Sequence, residues 1–144
     1  IVSCPQGEKG KVNKELIDFT DFLPTLCDVA GINRPTTPET DGKSFYPQLY
    51  GKKTEARKWI YCWYAPRQVY DEKAIVFARD RKYKLYRTGE FYDIENDFYE
   101  KSPITKPNMT GKQKKIFKAL QTVINKYEDA AKKKNKISKK AIYH

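Results

Sequence analysis

The apolar positions along the chain change period three times, and each change predicts an element. Residues 6 to 15 are polar and rich in Gly and Lys, which reads as a surface loop. From Leu16 to Gly31 the pattern turns helical. Leu23, Leu26, Cys27 and Ala30 recur at the spacing of one helix face. Thr20 is placed as the N-cap, with Asp21 putting negative charge in the first turn. Pro24 is tolerated because first-turn N–H groups have no intrahelical partner, and Gly31 supplies the stop. A helix over 20–30 follows. Residues 32 to 57 carry prolines and no sustained period, so they read as an extended connector with one helical turn around Tyr46–Tyr50.

Period two then takes over. Residues 58–64, 73–79, 83–87 and 90–94 are short, aromatic or β-branched runs separated by turn residues such as Asp80-Arg81 and Thr88-Gly89. They predict an antiparallel sheet of about four strands. After a polar connector, Ile116, Leu120, Val123, Ile124 and Tyr127 fall on one stripe of an amphipathic helix over about 111–131. Residues 132–144 read as a charged, frayed tail. The predicted class is α+β: a small antiparallel sheet packed with a C-terminal helix. The predicted division is 1–57, 58–131 and the tail 132–144.

Composition changes this picture little. The net charge of +11 over 144 residues suggests a polyanion partner until it is located. Residues 111–144 hold eleven lysines and two acids, a net +9, so the remaining 110 residues carry only +2. A small basic module binding nucleic acid or another polyanion therefore rests on the Lys-rich end alone, and no nucleic-acid partner is expected. No run of about 18 apolar residues exists to cross a membrane. The chain does not begin with Met, and Ile1-Val2-Ser3-Cys4-Pro5 reads as the tail of an apolar strand, so a fragment is expected. Cys4, Cys27 and Cys62 are odd in number and irregular in spacing, with neither a disulfide framework nor a zinc signature.

Four stretches, in order, carry a family resemblance. Leu16 to Ile32 resembles the sulfatase pattern l-x-D-l-x-P-T-l-x-D-x-A-G-i. Asp41-Gly42-Lys43-Ser44-Phe45, followed by Leu49-Tyr50-Gly51, is similar to its D-G-x-S-l segment. Arg81-Lys82-Tyr83-Lys84-Leu85 resembles R-x-x-K-l, and Glu90 to Asp97 resembles e-L-Y-D-L-x-x-D-P, with Phe98 standing where the family has Pro. The resemblance covers roughly residues 1 to 130 and is to the C-terminal portion of arylsulfatase-like enzymes of the alkaline-phosphatase superfamily. It implies that residues 1–57 edge a large α/β domain and that 58–131 form the small C-terminal subdomain.

The resemblance also implies a sulfuric ester hydrolase as parent, with hydrolysis of a related phosphate or phosphonate ester as a close variant, exported to the periplasm or beyond by a bacterium and acting on a sulfated substrate, expected to be a sugar. Such enzymes use a formylglycine, made from Cys or Ser in C-x-P-x-R, and a calcium ion with oxygen ligands. None of the three cysteines fits that motif: Cys4 lacks both Pro and Arg at the right places, Cys27 lacks both, and Cys62 has Pro66 and Arg67 too far on. The only histidine is the terminal His144. No catalytic residue, metal ligand or cofactor is therefore expected in this stretch, and formylglycine and calcium belong upstream, in an N-terminal catalytic domain that is the expected partner. The acidic set Asp93, Glu95, Asp97 and Glu100 lacks EF-hand spacing and reads as a turn closing the last strand. Asp18, Asp21 and Asp28 read as caps and a solvated face. One candidate remains: the loop Ala65 to Glu72, whose Arg67 and Tyr70 the resemblance places at the border of a substrate pocket. Cut from its parent, the chain is expected to be inactive and to self-associate through residues 1 to 32 or leave them disordered.

Overall fold

The computed structural model describes residues 1–37, 40–55, 57–66 and 73–142, with side chains through Lys132. The chain divides into two compact units, Ile1–Ile60 and Tyr61–His144.

In the first unit, residues 1 to 4 pair with no described strand. They lead into a turn closed by Gly7 N–H on Cys4 O at 3.0 Å. The strand tail expected there makes no ladder with the described residues, and Cys4 instead sets its thiol toward the Tyr50 hydroxyl at 3.8 Å. A 3-10 turn, Phe19–Asp21, runs into helix α1, Phe22–Ala30. The side-chain cap belongs to the 3-10 turn and is Asp18 rather than Thr20, while Asp21 stands at the N-cap of α1 with no side-chain capping bond. Asp18 Oδ1 accepts the Thr20 N–H at 2.9 Å, and Asp21 Oδ2 accepts the Asp18 N–H at 2.8 Å. A short acid at each end of one turn satisfies two orphan donors reciprocally, which the Thr20 hydroxyl does not match. Gly31 ends the helix at φ 66°, and Ile32 N–H returns to Cys27 O at 3.0 Å.

The buried face of α1 is not the expected one. Pro24, Thr25 and Cys27 are buried, while Leu23 and Leu26 stay 44% and 62% exposed. Polar anchoring decides this. Thr25 Oγ1 donates to Asp21 O at 2.6 Å and accepts the Phe45 N–H at 3.0 Å, turning that side of the helix onto the connector. Gly42 permits the close approach, since a Cβ there would lie 2.0 Å from Thr20 O. The expected helical turn forms at Tyr46–Tyr50.

The second unit carries a four-stranded sheet in the order β1 (Ile60–Tyr64), β2 (Ile75–Arg79), β3 (Tyr83–Tyr86) and β4 (Phe91–Asp93). The pairs β2–β3 and β3–β4 are antiparallel, with Ala78 opposite Leu85 and Leu85 opposite Phe91. Strand alternation therefore puts Val76, Ala78, Tyr83, Leu85 and Phe91 on one buried face. Helix α2, Gly111–Ile142, lays Leu120, Val123 and Ile124 against it. Phe117 meets Phe91 edge-on at 5.5 Å, and Tyr127 stacks on Tyr61 at 4.2 Å. Thr110 and Gln113 form the capping box that starts α2. The helix runs beyond the expected end near 131, because Ala130-Ala131 and the lysines that follow are good helix formers with no Gly or Pro to stop them.

Candidate functional site

Arg67 and Tyr70, the two residues singled out from the sequence for substrate contact, lie in 67–72, outside the described residues, as does His144. The structure describes only what flanks that loop. β1 ends in Trp63 and Tyr64, each about half exposed, and β2 begins at the half-exposed Ile75.

Two polar centres that the sequence reading passed over are well built. In the first unit, the Arg57 guanidinium grips the buried Asp21 carboxylate: Nε reaches Oδ2 at 2.9 Å and Nη2 bonds Oδ1. Asp21 Oδ1 also accepts the Lys43 N–H at 2.7 Å, and Arg57 Nη2 reaches Asp41 O at 3.2 Å. One side chain thus ties α1 to the Asp41–Phe45 segment and to the chain at Arg57. Burial works to raise the Asp21 carboxyl, but Arg57 and the Lys43 and Asp18 N–H groups outweigh it, and its pKa sits below the ordinary value. The sequence signal was an acid directly before the l-x-P-T stretch, where a solvated face needs none.

In the second unit, the sheet face turned away from α2 carries Phe77, Arg79, Lys84, Tyr86 and Tyr92. Lys84 Nζ binds Glu100 Oε1 at 2.7 Å, and the Tyr86 hydroxyl donates to Glu100 Oε2 at 2.5 Å. The ammonium also lies over the Phe77 and Tyr86 rings, at 4.2 and 4.6 Å. Burial works to lower the Lys84 pKa, yet Glu100 and Tyr86 leave it raised, while burial and Glu100 raise Tyr86. The lysine of the R-x-x-K-l stretch therefore holds the end of the segment after β4.

The acidic set behaves as a turn. Asp93 accepts the Asn96 side-chain amide at 2.9 Å, and Asp97 accepts the Lys101 and Ser102 N–H groups at 3.0 and 2.8 Å. Glu95 pairs with Lys82 at 2.8 Å. Among the described residues, no three His, Cys, Asp or Glu side chains converge where they could hold a metal ion. No disulfide joins the three cysteines.

Comparison with known proteins agrees with the motif order. The family model described as N-sulphoglucosamine sulphohydrolase, C-terminal, matches residues 1–129. An ulvan-active sulfatase of Formosa agariphila is 31% identical over 105 residues, which are 72% of this chain and 19% of that protein. A solved 2-O GAG sulfatase aligns over 78% of this chain and 24% of its own, at 29% identity and a TM-score of 0.55. A protein solved with its substrate D-glucosamine-2-N,6-O-disulfate aligns over 76% of this chain and 24% of its own, at 28% identity and a TM-score of 0.59. The chain spans about a fifth to a quarter of the length of these proteins. Its sheet and helix are those of the C-terminal part of an alkaline-phosphatase-like sulfatase fold, and the chain belongs to the N-sulphoglucosamine sulphohydrolase C-terminal family.

Proposed function

We propose that this chain serves a sulfuric ester hydrolase by completing its fold and shaping one wall of its pocket, while the ester is cleaved by residues outside the chain. The family match over residues 1–129 carries the reading, together with the lack of any C-x-P-x-R sequence here. The division of labour is the one inferred from sequence: 1–57 edge the large domain, 58–131 form the small subdomain, and 132–144 are the charged end. The parent's substrate class is a sulfated sugar, supported by the glucosamine disulfate bound to one relative. Its formylglycine and calcium belong to the catalytic domain, and the parent is exported.

That domain is also the proposed partner of the first unit. Phe19, Phe22, Leu23, Leu26, Val29 and Ile32 expose apolar surface around α1, more than solvent contact favours. On the substrate side, Arg67 and Tyr70 would offer a fork of donors and an aromatic face to a sulfated ring. Two assays test the proposal. The 144-residue chain should not turn over an aryl sulfate, with or without calcium, and measurable turnover would sink it. In the complete enzyme, Arg67→Ala should raise KM for a sulfated saccharide while leaving the aryl sulfate unaffected. An unchanged KM for the saccharide would remove Arg67 from the pocket.

A further inference from the structure

On the outer sheet face, Arg79 of β2 stands directly opposite Lys84 of β3. Two cations facing each other across a ladder repel unless an anion lies between them. One carboxylate is present, Glu100, and it is committed to Lys84 and Tyr86. Glu100 reaches that position with φ at 54°, a conformation a non-glycine residue adopts at a cost. The neighbouring acids are engaged elsewhere: Asp80 with the Lys82 and Tyr83 N–H groups, Asp93 with Asn96, Glu95 with Lys82, and Asp97 with the backbone at 101–102. Arg79 Nε donates to Asp80 O at 3.1 Å, which fixes the guanidinium plane. Among the described residues no carboxylate pairs with that guanidinium.

Arg79, Arg81, Lys84, Phe77, Phe98 and Glu100 line a cleft of about 240 Å³. Phe98 is the residue that departs from the family's Asp-Pro, and it is 79% exposed, its ring set edge-on to that of the similarly open Tyr99 at 5.3 Å. An aromatic ring so exposed contributes little to folding. Beside an oriented arginine it supplies what an acidic sugar needs: a flat apolar face for the ring's C–H groups and a planar fork for a sulfate or carboxylate. The volume lies below the roughly 300–1,000 Å³ of drug-sized pockets and suits a single sugar residue.

We propose that this cleft is a second saccharide-binding site, in which Arg79 holds a sulfate or carboxylate group and Phe98 stacks on the sugar that carries it. The choice of a saccharide rests on the sulfatase reading, whereas the anion site rests on the charge arrangement alone. The site acts by holding an acidic polysaccharide, not by chemistry, since the carboxylate and the ammonium in the cleft, Glu100 and Lys84, are bonded to each other.

The test is native affinity electrophoresis of the 144-residue chain through gels containing sulfated dextran, carboxymethyl dextran or neutral dextran. A version cut after Lys132 controls for the Lys-rich end. The charged dextrans should retard the chain, neutral dextran should not, and the cut version should be retarded similarly. Arg79→Gln and Phe98→Ala should each weaken binding about tenfold, with Arg79→Lys in between, because a point charge replaces a fork. Thermal melting of each variant checks the fold. Retardation lost with the Lys-rich end but indifferent to Arg79→Gln would overturn the site, as would no retardation at all. Sensitivity to Arg79→Gln without sensitivity to Phe98→Ala would leave a bare anion site and overturn the saccharide assignment. Aryl sulfate turnover by the complete enzyme, expected to be unchanged by these variants, reports separately on the sulfatase reading.

Discussion

Arg57 closes on Asp21 from 36 residues away, and both side chains are almost fully buried. The paired fork offsets the desolvation of each charge, but removing one member strands the other. Arg57→Ala should therefore cost the first unit about 3–5 kcal/mol, and Arg57→Lys somewhat less. Hydrogen exchange of the α1 amides under mild urea measures it. A loss under roughly 1 kcal/mol would mean that water reaches the pair readily.

The same carboxylate gives a pH dependence. The folded pKa of Asp21 lies below its unfolded value of 3.8, and those of Asp93 and Asp97 are also lowered. For such groups the stabilisation is complete above the unfolded pKa and is lost as pH falls through the folded one, because the unfolded chain binds protons first. Stability should hold near neutrality and decline below roughly pH 4. In Asp21→Asn the decline of the first unit should be shallower, read as the slope of denaturation midpoint against pH. An identical slope would assign the acid sensitivity to other groups.

Leu85 and Ile124 are both fully buried where β3 meets α2. Truncation of either to Ala should destabilise the second unit by about 2–4 kcal/mol through lost transfer energy and the cavity left behind. Chemical denaturation followed by far-UV circular dichroism tests both variants. Losses below about 0.5 kcal/mol at both positions would contradict the packing.

Lys84 and Glu100 should show energetic coupling. In a double-mutant cycle of Lys84→Met and Glu100→Gln, an interaction of about 1–2 kcal/mol is expected, because the Lys84 side chain is only 15% exposed and the pair shares Tyr86. Additive single losses would mean that the ring contacts alone hold Lys84.

The apolar surface of α1 predicts association of the chain outside its parent. Light scattering should show self-association that Leu26→Lys, at a 62% exposed position, reduces without loss of helix. A monomer before and after the change would show that this surface needs no cover.

The sequence by itself determined the elements of the second unit. Period-two runs and a period-3.6 stripe state which residues face inward, and a face buried on one side leaves little choice of register. Leu85, Ile124 and the turn at Gly89 followed from pattern alone, as did the left-handed stop at Gly31. The family was legible because four motifs kept their order. What only tertiary structure decided is where long-range polar contacts form. Asp18 rather than Thr20 caps the turn that leads into α1, and Thr25 rather than Leu23 faces inward, because Asp21, Arg57 and Phe45 meet across some twenty to forty residues of chain. No local period encodes such a meeting. Arg79 and Lys84 become neighbours only when β2 pairs with β3, and Glu100 reaches Lys84 only through a left-handed residue after β4. Hydrophobic burial is periodic and can be read from one segment, whereas charge pairing depends on which two segments the fold brings together.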